Sequence, residues 1–342
     1  MNGYRRLVFT CAYLTFLVVV VGACVRLSDA GLGCPDWPGC YGKLTPAQAH
    51  SHIRDAVEVQ GGAHGPVSLA KAWKEMGHRY LAGTLGVLIL AVAFIAWLRR
   101  RRLRQSPWLA AIIVVAVAVQ ATLGKLTVTM LLKPAIVTGH LIGGMSTLAL
   151  LVWLALRQSR FPRSENSSAV KSMRPLAVLG FVALCVQIVL GGWVSTNYAA
   201  LACPDLPLCR GALVPPMDFA NAFHMVRELG MTAEGALLSN DALTAIHWVH
   251  RMFALIVVVI LGTLARRLVR NPDTQALGWL LAGLLGAQFL MGLSNVAFSL
   301  PLPLAAAHNA GAAALLALAV VINYVSFHGL AFRCATSSRP KP

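Results

Sequence analysis

The sequence has little charge for its length. Only 12% of its 342 residues are Asp, Glu, Lys or Arg, about half the fraction of a typical soluble domain. Hydrophobic residues make up 57%, and the mean hydropathy is +0.68. Uncharged runs such as 7–25 and 277–293 approach or reach the roughly 20 apolar residues that cross a bilayer. This composition excludes a soluble globular protein and indicates a multi-pass membrane protein.

Acidic residues are especially scarce, with 12 Asp and Glu against 29 Lys and Arg, so the formal net charge is +17. The basic residues do not form one surface along the chain but cluster between the apolar runs, at 98–105, 157–174, 266–271 and in the C-terminal tail. Short basic loops remain on the cytoplasmic side of a membrane. The charge pattern therefore favours a topology signal over nucleic-acid binding.

Apolar periodicity predicts eight spanning helices. We place them near 7–26, 78–98, 108–128, 135–157, 174–196, 243–267, 276–298 and 304–327. Each basic segment follows an even-numbered helix, so both termini are predicted to be cytoplasmic. The two long loops, 27–77 and 197–242, are then predicted to lie outside.

The two halves of the chain repeat. VGACVRLSDAGLGCPDWPGC (21–40) aligns without gaps with LGGWVSTNYAALACPDLPLC (190–209). Each half has four helices, so both halves enter the membrane from the same side, which predicts a parallel repeat of two pseudo-symmetric four-helix bundles. The predicted organisation is an N-terminal bundle over 1–160, a cytoplasmic linker over 161–173 and a C-terminal bundle over 174–342.

Four histidines occupy matched positions in the repeat: His78, His140, His250 and His308. We expect the first of each pair to start its helix and all four rings to lie at similar depth. Ionisable residues inside a membrane are costly and usually functional. Two opposed neutral imidazoles suit axial ligation of haem iron, and the alternative is interfacial histidines bonded to carbonyls. The helices lack nearby Cys or carboxylate ligands at metal spacing, which disfavours zinc and copper.

Charged residues accompany the first histidine of each pair. Arg79 and Arg251 follow it directly and could bind haem propionates or snorkel to lipid head groups. Glu75 precedes His78 by three residues, on the same helical face, whereas the matching residue in the second half is His247. A carboxylate there could stabilise a developing cation or move a proton. The alternative is a solvated acid at a helix start.

Two cysteine pairs lie in the predicted outer loops, where disulfides persist. Cys34 can close a short loop with Cys40, and Cys203 with Cys209. A structural role is favoured for the second pair, whereas structural and redox roles remain open for the first. The other four cysteines are predicted to be free: Cys11, Cys24, Cys185 and Cys334.

Taken together, these motifs resemble the haem A synthase family of bacterial and mitochondrial inner membranes. The resemblance covers nearly the whole chain and is carried by CPDWPGCYGKLTP, EMGHRYLAG, TGHLIGG, ACPDLPLC, HWVHR and AAAHNAG. It implies a bacterial inner-membrane enzyme with periplasmic cysteine loops. Such an enzyme oxidises the C8 methyl of haem O to the formyl group of haem A, for terminal oxidases, with water as the oxygen source.

The resemblance also implies a division of roles. The C-terminal bundle would hold haem b through His250 and His308, and the N-terminal bundle would hold haem O near His78 and His140. Glu75 matches the family's essential acid. The remaining implied partners are haem O synthase, oxidase assembly factors and a second copy of the chain. His247 could compete with His250 as a ligand, but the His-Arg pair shared with the first half favours His250.

Two rival functions belong to other classes. A b-type electron carrier with two haems predicts symmetric halves, and Glu75 breaks that symmetry. A haem transporter predicts a haem-handling motif in an outer loop, and the histidines there form no recognisable pattern.

Overall fold

The computed structural model describes residues 2–60, 67–103 and 106–332, and in these ranges its regular structure is helical, without strands. Eight helices are long and apolar enough to span a membrane: α1 (Asn2–Leu27), α3 (Leu69–Leu98), α5 (Trp108–Thr129), α6 (Pro134–Arg157), α8 (Arg174–Thr196), α10 (Asn240–Val269), α11 (Gln275–Ala297) and α12 (Leu302–His328). The short helices are α2 (His50–Val59), α4 (Arg100–Leu103), α7 (Ser167–Ser172) and α9 (Phe219–Ala222). The prediction of an all-helical multi-pass membrane protein is confirmed.

The helices α3 and α10 begin earlier than the apolar pattern predicts. The Ser68 hydroxyl accepts the Lys71 N–H at 3.2 Å, and Ser239 caps the first turn of α10 in the same way. Such caps satisfy the free N–H groups of a first turn. The prediction that His78 and His250 start their helices was therefore wrong, because each lies between about two and three turns inside.

Each half of the chain forms a ring of four helices with the same order of neighbours. In the first half α1 packs on α3, α3 on α5, α5 on α6 and α6 on α1. The order α8, α10, α11, α12 repeats this arrangement in the second half. The halves meet where α1 and α6 contact α12 and where α6 contacts α8. The parallel two-fold axis and the domain boundaries stay predictions.

Small separate cores lie at the ends of the rings that carry the cysteine loops. One packs Ile53 and Met76 against the Cys34–Cys40 disulfide, and the other packs Trp193 on Ile246. The second pair, Cys203–Cys209, is also bonded. Both predicted disulfides are confirmed, and Cys11, Cys24 and Cys185 are free as predicted. Cys334 lies outside the described residues.

Candidate functional site

In the N-terminal ring, His78 of α3 and His140 of α6 lie close enough for a charge on one to affect the other. A glycine on a neighbouring helix faces each ring. A Cβ at Gly22 would lie 2.9 Å from Cε1 of His78, and one at Gly124 would lie 3.1 Å from Cε1 of His140. Real Cβ atoms essentially never approach another atom as closely as 2.9 Å, so a side chain at Gly22 requires the ring of His78 to shift. The distance of 3.1 Å at Gly124 is tighter than nine in ten Cβ contacts, so the ring of His140 would have to move by a few tenths of an ångström.

The C-terminal ring repeats the arrangement with His250 of α10 and His308 of α12, which also interact electrostatically. Here a Cβ at Gly191 would lie 3.0 Å from Cε1 of His250, and one at Gly292 would lie 3.2 Å from Cε1 of His308. Sequence reasoning missed all four glycines. The signal was available, because they occupy matched positions in the aligned repeat segments.

Glutamine carboxamides contact three of the four histidines. The Nε2 of Gln120 donates to the backbone carbonyl of His140 at 2.5 Å, and that of Gln288 to the carbonyl of His308 at 3.0 Å. Gln187 donates to the carbonyl of His250 at 3.1 Å. Sequence reasoning also missed these residues, although Gln120 and Gln288 are aligned in the repeat.

The histidines fit axial ligands of haem iron. Each histidine is half-buried, and the two histidines of each bundle lie on two of its helices, close enough for a charge on one to affect the other. The Nδ1 atoms of His78, His140 and His308 are buried and have no hydrogen-bond partner among the described residues. A buried polar atom without a partner is costly. Ligation through Nε2 would fix the ring and make Nδ1 a donor.

Glu75 is buried, with 3% of its surface exposed. One carboxylate oxygen accepts a hydrogen bond from the backbone N–H of Cys34 at 2.8 Å, and the other accepts one from Nη2 of Arg79 at 2.5 Å. The interpretation as a solvated acid is therefore wrong. The carboxylate links the first cysteine of the disulfide loop to the arginine that follows His78, which fixes its position in a place shielded from water.

His247 takes the same structural position in the second half. Its Nδ1 lies 3.3 Å from the N–H of Cys203, and its Nε2 lies 3.2 Å from Nε of Arg251. Each contact places an N–H donor against a ring nitrogen, but a neutral imidazole has only one nitrogen that can accept a hydrogen bond. The ring can therefore accept from only one of the two donors at a time. Because both ring nitrogens of His247 contact the loop or its arginine, His250 is the histidine that pairs with His308. The two halves thus share one scaffold, with an acid in the first and an imidazole in the second.

The guanidinium groups of Arg79 and Arg251 hold the cysteine loops. Arg79 donates to the carbonyl of Gly39 at 2.6 Å, and Arg251 donates to the carbonyls of Cys203 at 2.6 Å and Asp205 at 3.0 Å. From the sequence, haem propionates and lipid head groups are both open as partners of the two arginines. These contacts stay a prediction, while the structure gives each arginine a set of loop carbonyls as partners.

The aspartate of each CPD motif closes its own loop. Asp36 accepts the two N–H groups that follow Cys40, at 2.6 and 2.8 Å, and Asp205 accepts the two that follow Cys209, both at 2.7 Å. The N–H of Gly211, with its neighbour, holds the pKa of the Asp205 carboxyl below its ordinary value. The repeated motif is thus a disulfide loop closed by its own carboxylate.

Comparison with known proteins agrees with this geometry. Residues 5–320 match the family described as cytochrome oxidase assembly protein, COX15-CtaA. The chain is 42% identical to a heme A synthase of Shewanella oneidensis over 92% of this chain and 94% of that protein. Heme A synthases of Caulobacter sp. and Caulobacter vibrioides are 29% and 30% identical, each over 91% of this chain and 92% of the relative. The chain that carries these four histidines and two cysteine loops therefore belongs to the haem A synthase family.

Proposed function

We propose that this haem A synthase oxidises haem O in its N-terminal bundle and holds a haem b in its C-terminal bundle. The family membership establishes the conversion of haem O to haem A. The observation that carries the assignment is the exchange of Glu75 for His247 on an otherwise shared scaffold. Because the first half has a fixed carboxylate one turn before His78, where the second half has His247, the first half is equipped for the oxidation.

In the N-terminal bundle, His78 and His140 would bind the iron of haem O and so orient the porphyrin. The proximity of the two histidines supports this role, as do their buried Nδ1 atoms and the space that Gly22 and Gly124 leave them. Holding a substrate in one orientation relative to a catalytic group lowers the entropic cost of reaction.

Glu75 would stabilise positive charge on the methyl carbon as electrons leave it. Water then adds to that carbon to give a hydroxymethyl group, with loss of two electrons and two protons. A second round gives a gem-diol, which loses water to become the formyl group. Overall, one methyl group and one water yield one formyl group and four protons, and an external oxidant takes up the four electrons. The contacts of Glu75 with Cys34 and Arg79 support this role, since preorganised charge needs no rearrangement during reaction.

In the C-terminal bundle, His250 and His308 would hold haem b, which supplies one-electron transfer when bound. The proximity of the two histidines supports this assignment, as does the space that Gly191 and Gly292 leave them. His247 has both nitrogens directed to the loop and to Arg251. It would therefore position the loop and the arginine next to the haem without binding the iron.

We also propose that the cysteine loops face the periplasm of a bacterial inner membrane and that both termini are cytoplasmic. The two formed disulfides support an oxidising side for the loops. The basic residues around α4 and α7 lie at the opposite ends of the helices, as expected for cytoplasmic segments. The family description as cytochrome oxidase assembly protein supports delivery of haem A to a terminal oxidase.

Variants at Glu75, expressed with a supply of haem O, test the proposal. Glu75→Gln retains an acceptor for the Cys34 N–H but removes the charge, so we expect about 100- to 1,000-fold less haem A, with haem b retained. Glu75→Asp retains partial activity. Glu75→His reproduces the arrangement of His247 and serves as the matched control for loop structure. We expect it to fold, keep haem b and make no haem A. Extracted haems are separated by chromatography, and near-wild-type haem A from Glu75→Gln would refute the catalytic role.

A further inference from the structure

A groove between α10 and α11 lies away from both histidine pairs. Its volume is about 560 Å³, within the roughly 300–1,000 Å³ of cavities that hold small molecules. The groove extends along α10 over 258–270 and along α11 over 279–289. At the rise of an α-helix, Arg266 lies about 24 Å along α10 from His250. The groove is therefore separate from the sites proposed for the haems.

The groove is on the outer side of the C-terminal ring. The two halves of the chain meet through α1, α6, α8 and α12, so α10 and α11 form the side remote from the other half. Trp279 is 63% exposed and Gly286 is exposed as well, whereas Leu285 beside it is buried. Because both helices are of the kind that span a membrane, the groove opens to lipid, and its side chains decide which lipid it holds.

One end of the groove is cationic and the rest is apolar. Arg266 lies in the last turn of α10, and Arg270 is the C-cap of that helix. A short loop joins the two helices, so Trp279 in the second turn of α11 lies at the same end. The other described lining residues are uncharged, as far as Val258 and Phe289 at the opposite end. Guanidinium groups bind phosphate through paired hydrogen bonds, and tryptophan favours the level of lipid head groups.

The two arginines are not engaged in ion pairs within the described ranges. The ion pairs found there involve other residues. The carboxylate of the loop between the two helices, Asp273, is buried and accepts a hydrogen bond from Ser164. Both guanidinium groups are also exposed. An anion that enters the groove from the membrane can therefore bind them.

The matched surface of the first half carries apolar side chains instead. Extending the aligned segments GHRYLAGTLGVLIL and VHRMFALIVVVILG along their helices pairs the two arginines with Phe94 and Leu98. The same alignment pairs Gly262 of the groove with Leu90. A Cβ at Gly262 would meet no atom within 4 Å, so the space above this glycine is open. The shared fold therefore requires neither the cations nor the open space, which are features of the second half.

We propose that this groove binds one anionic phospholipid of the cytoplasmic leaflet. Its phosphate would lie on Arg266 and Arg270, and an acyl chain would extend over Gly262 toward Phe289. Basic recesses between spanning helices on the cytoplasmic side typically bind acidic lipid head groups. The apolar length of the groove selects a ligand with a chain, so free phosphate is not the ligand. The inference takes only the leaflet from the proposed topology and does not depend on which bundle holds which haem.

Native mass spectrometry of the detergent-purified holoprotein tests the inference. The protein is titrated with dioleoyl phosphatidylglycerol, which is anionic, and with dioleoyl phosphatidylcholine, which has the same chains and no net charge. We expect the wild type to bind one phosphatidylglycerol in preference to phosphatidylcholine. Arg266→Gln should weaken binding of phosphatidylglycerol about fivefold, and the double variant with Arg270→Gln about 30-fold, because one basic residue near an anionic lipid contributes about a factor of five.

Two further variants separate the groove from a general basic surface. Arg267 is exposed in the same turn of α10 but does not line the groove. Arg267→Gln removes the same charge and should bind phosphatidylglycerol like the wild type. Gly262→Leu fills the groove with the residue found at the matched position of the first half and leaves every arginine in place. It should weaken binding of both lipids while haem b is retained, and it decides the question alone if the arginine variants do not fold.

Three results would overturn the inference. Equal losses of affinity in Arg266→Gln and Arg267→Gln would show attraction to the whole basic surface. Wild-type affinity in both the double arginine variant and Gly262→Leu would show that the lipid binds elsewhere. Displacement of the bound phosphatidylglycerol by excess inorganic phosphate would show that the acyl chain is not held. Haem b and haem A are quantified in the same samples, so a failure of lipid binding is distinguished from a failure of the proposed function.

Discussion

In each half, one buried side chain connects the cysteine loop to the helix that carries the first histidine of the pair. Glu75 and His247 both contact the N–H of the first cysteine of the loop and the arginine one turn further along the helix. Removing one partner of a buried ion pair typically costs about 3–5 kcal/mol. Truncation of Glu75 to alanine would therefore damage the loop as well as the chemistry, which is why glutamine and histidine are the informative replacements.

The carboxylate of Asp205 predicts how the second cysteine loop responds to acid. Its pKa is lowered in the folded protein from an ordinary 3.8, first by the N–H of Gly211. A lowered pKa stabilises the fold fully above the ordinary value, and this stabilisation is lost as the pH falls through the folded value. We expect the phosphine TCEP to reduce Cys203–Cys209 faster as the pH drops below about 4.

Asp205→Asn serves as the comparison for this pH dependence. The variant lacks the charge that accepts both N–H groups, so its disulfide should be reduced quickly at neutral pH and with little further change in acid. A wild-type reduction rate that stays flat from pH 7 to pH 3 would contradict the role of Asp205. The measurement is mass spectrometry of alkylated peptides after timed reduction.

At the scale of helices, the sequence predicts the spans well and their outer ends poorly. Apolar runs define where α5 and α6 cross the membrane, and the observed bounds differ from the predicted ones by one residue at most. The first turns of α3 are polar and begin at the Ser68 cap, so hydropathy alone could not detect them. They form because they pack against the cysteine loop, a tertiary contact that no local pattern encodes.

Local sequence patterns could not predict the contacts around the four histidines and Glu75 either. The residue pattern of the repeat identified His78 and its three counterparts, but the partner of Glu75 is Cys34, which lies 41 residues away. The contact between Gly22 and the ring of His78 likewise joins two different helices. Comparison of the two halves could have predicted these glycines. A glycine that occurs in one half alone carries little information, whereas a glycine at the same position of both halves indicates that another side chain packs closely against the backbone there.

The glycines that face the histidines predict the effect of adding one methyl group. Gly191→Ala would push its Cβ against Cε1 of His250, and such overpacking typically costs about 1–3 kcal/mol. We expect lower haem b occupancy in this variant. Gly22→Ala should instead reduce formation of haem A while haem b is retained, because it displaces His78.

Two glycines with open space serve as controls for these variants. A Cβ at Gly83 in α3 or at Gly262 in α10 meets no atom within 4 Å. Gly83→Ala and Gly262→Ala should therefore match the wild type in haem b content and in haem A formation. Equal haem b occupancy in Gly191→Ala and Gly262→Ala would contradict the close packing of His250.

At the scale of the whole molecule, polar contacts join the two rings at the ends that carry the cysteine loops. Arg26 donates to the carbonyl of Ser195 at 2.6 Å, and the hydroxyl of Tyr198 donates to Asp29 at 2.8 Å. Lys133 pairs with a glutamate of the second outer loop at 2.7 Å. These contacts hold the two cysteine loops side by side, which fits loops that share one side of the membrane.

That arrangement predicts the accessibility of the cysteines in intact cells. A thiol reagent that does not cross the inner membrane should label Cys34, Cys40, Cys203 and Cys209 only after reduction, since all four are bonded and predicted to lie outside. Cys11 lies inside the half of α1 that is remote from the cysteine loops and is buried, so it should stay unlabelled under the same conditions. Labelling of the loop cysteines without a reductant, or only after lysis, would contradict the proposed topology.

The central claim is that one bundle transforms a haem and the other retains one. Four single variants measured together test it most directly: His78→Ala, His140→Ala, His250→Ala and His308→Ala. Each is purified after expression with haem O, and its bound haem b is quantified by absorption spectroscopy and its haem A by chromatography of the extract. The account predicts that the first two keep the low-spin spectrum of haem b but make no haem A, and that the last two lose that spectrum. A full haem b spectrum in both His250→Ala and His308→Ala would contradict it.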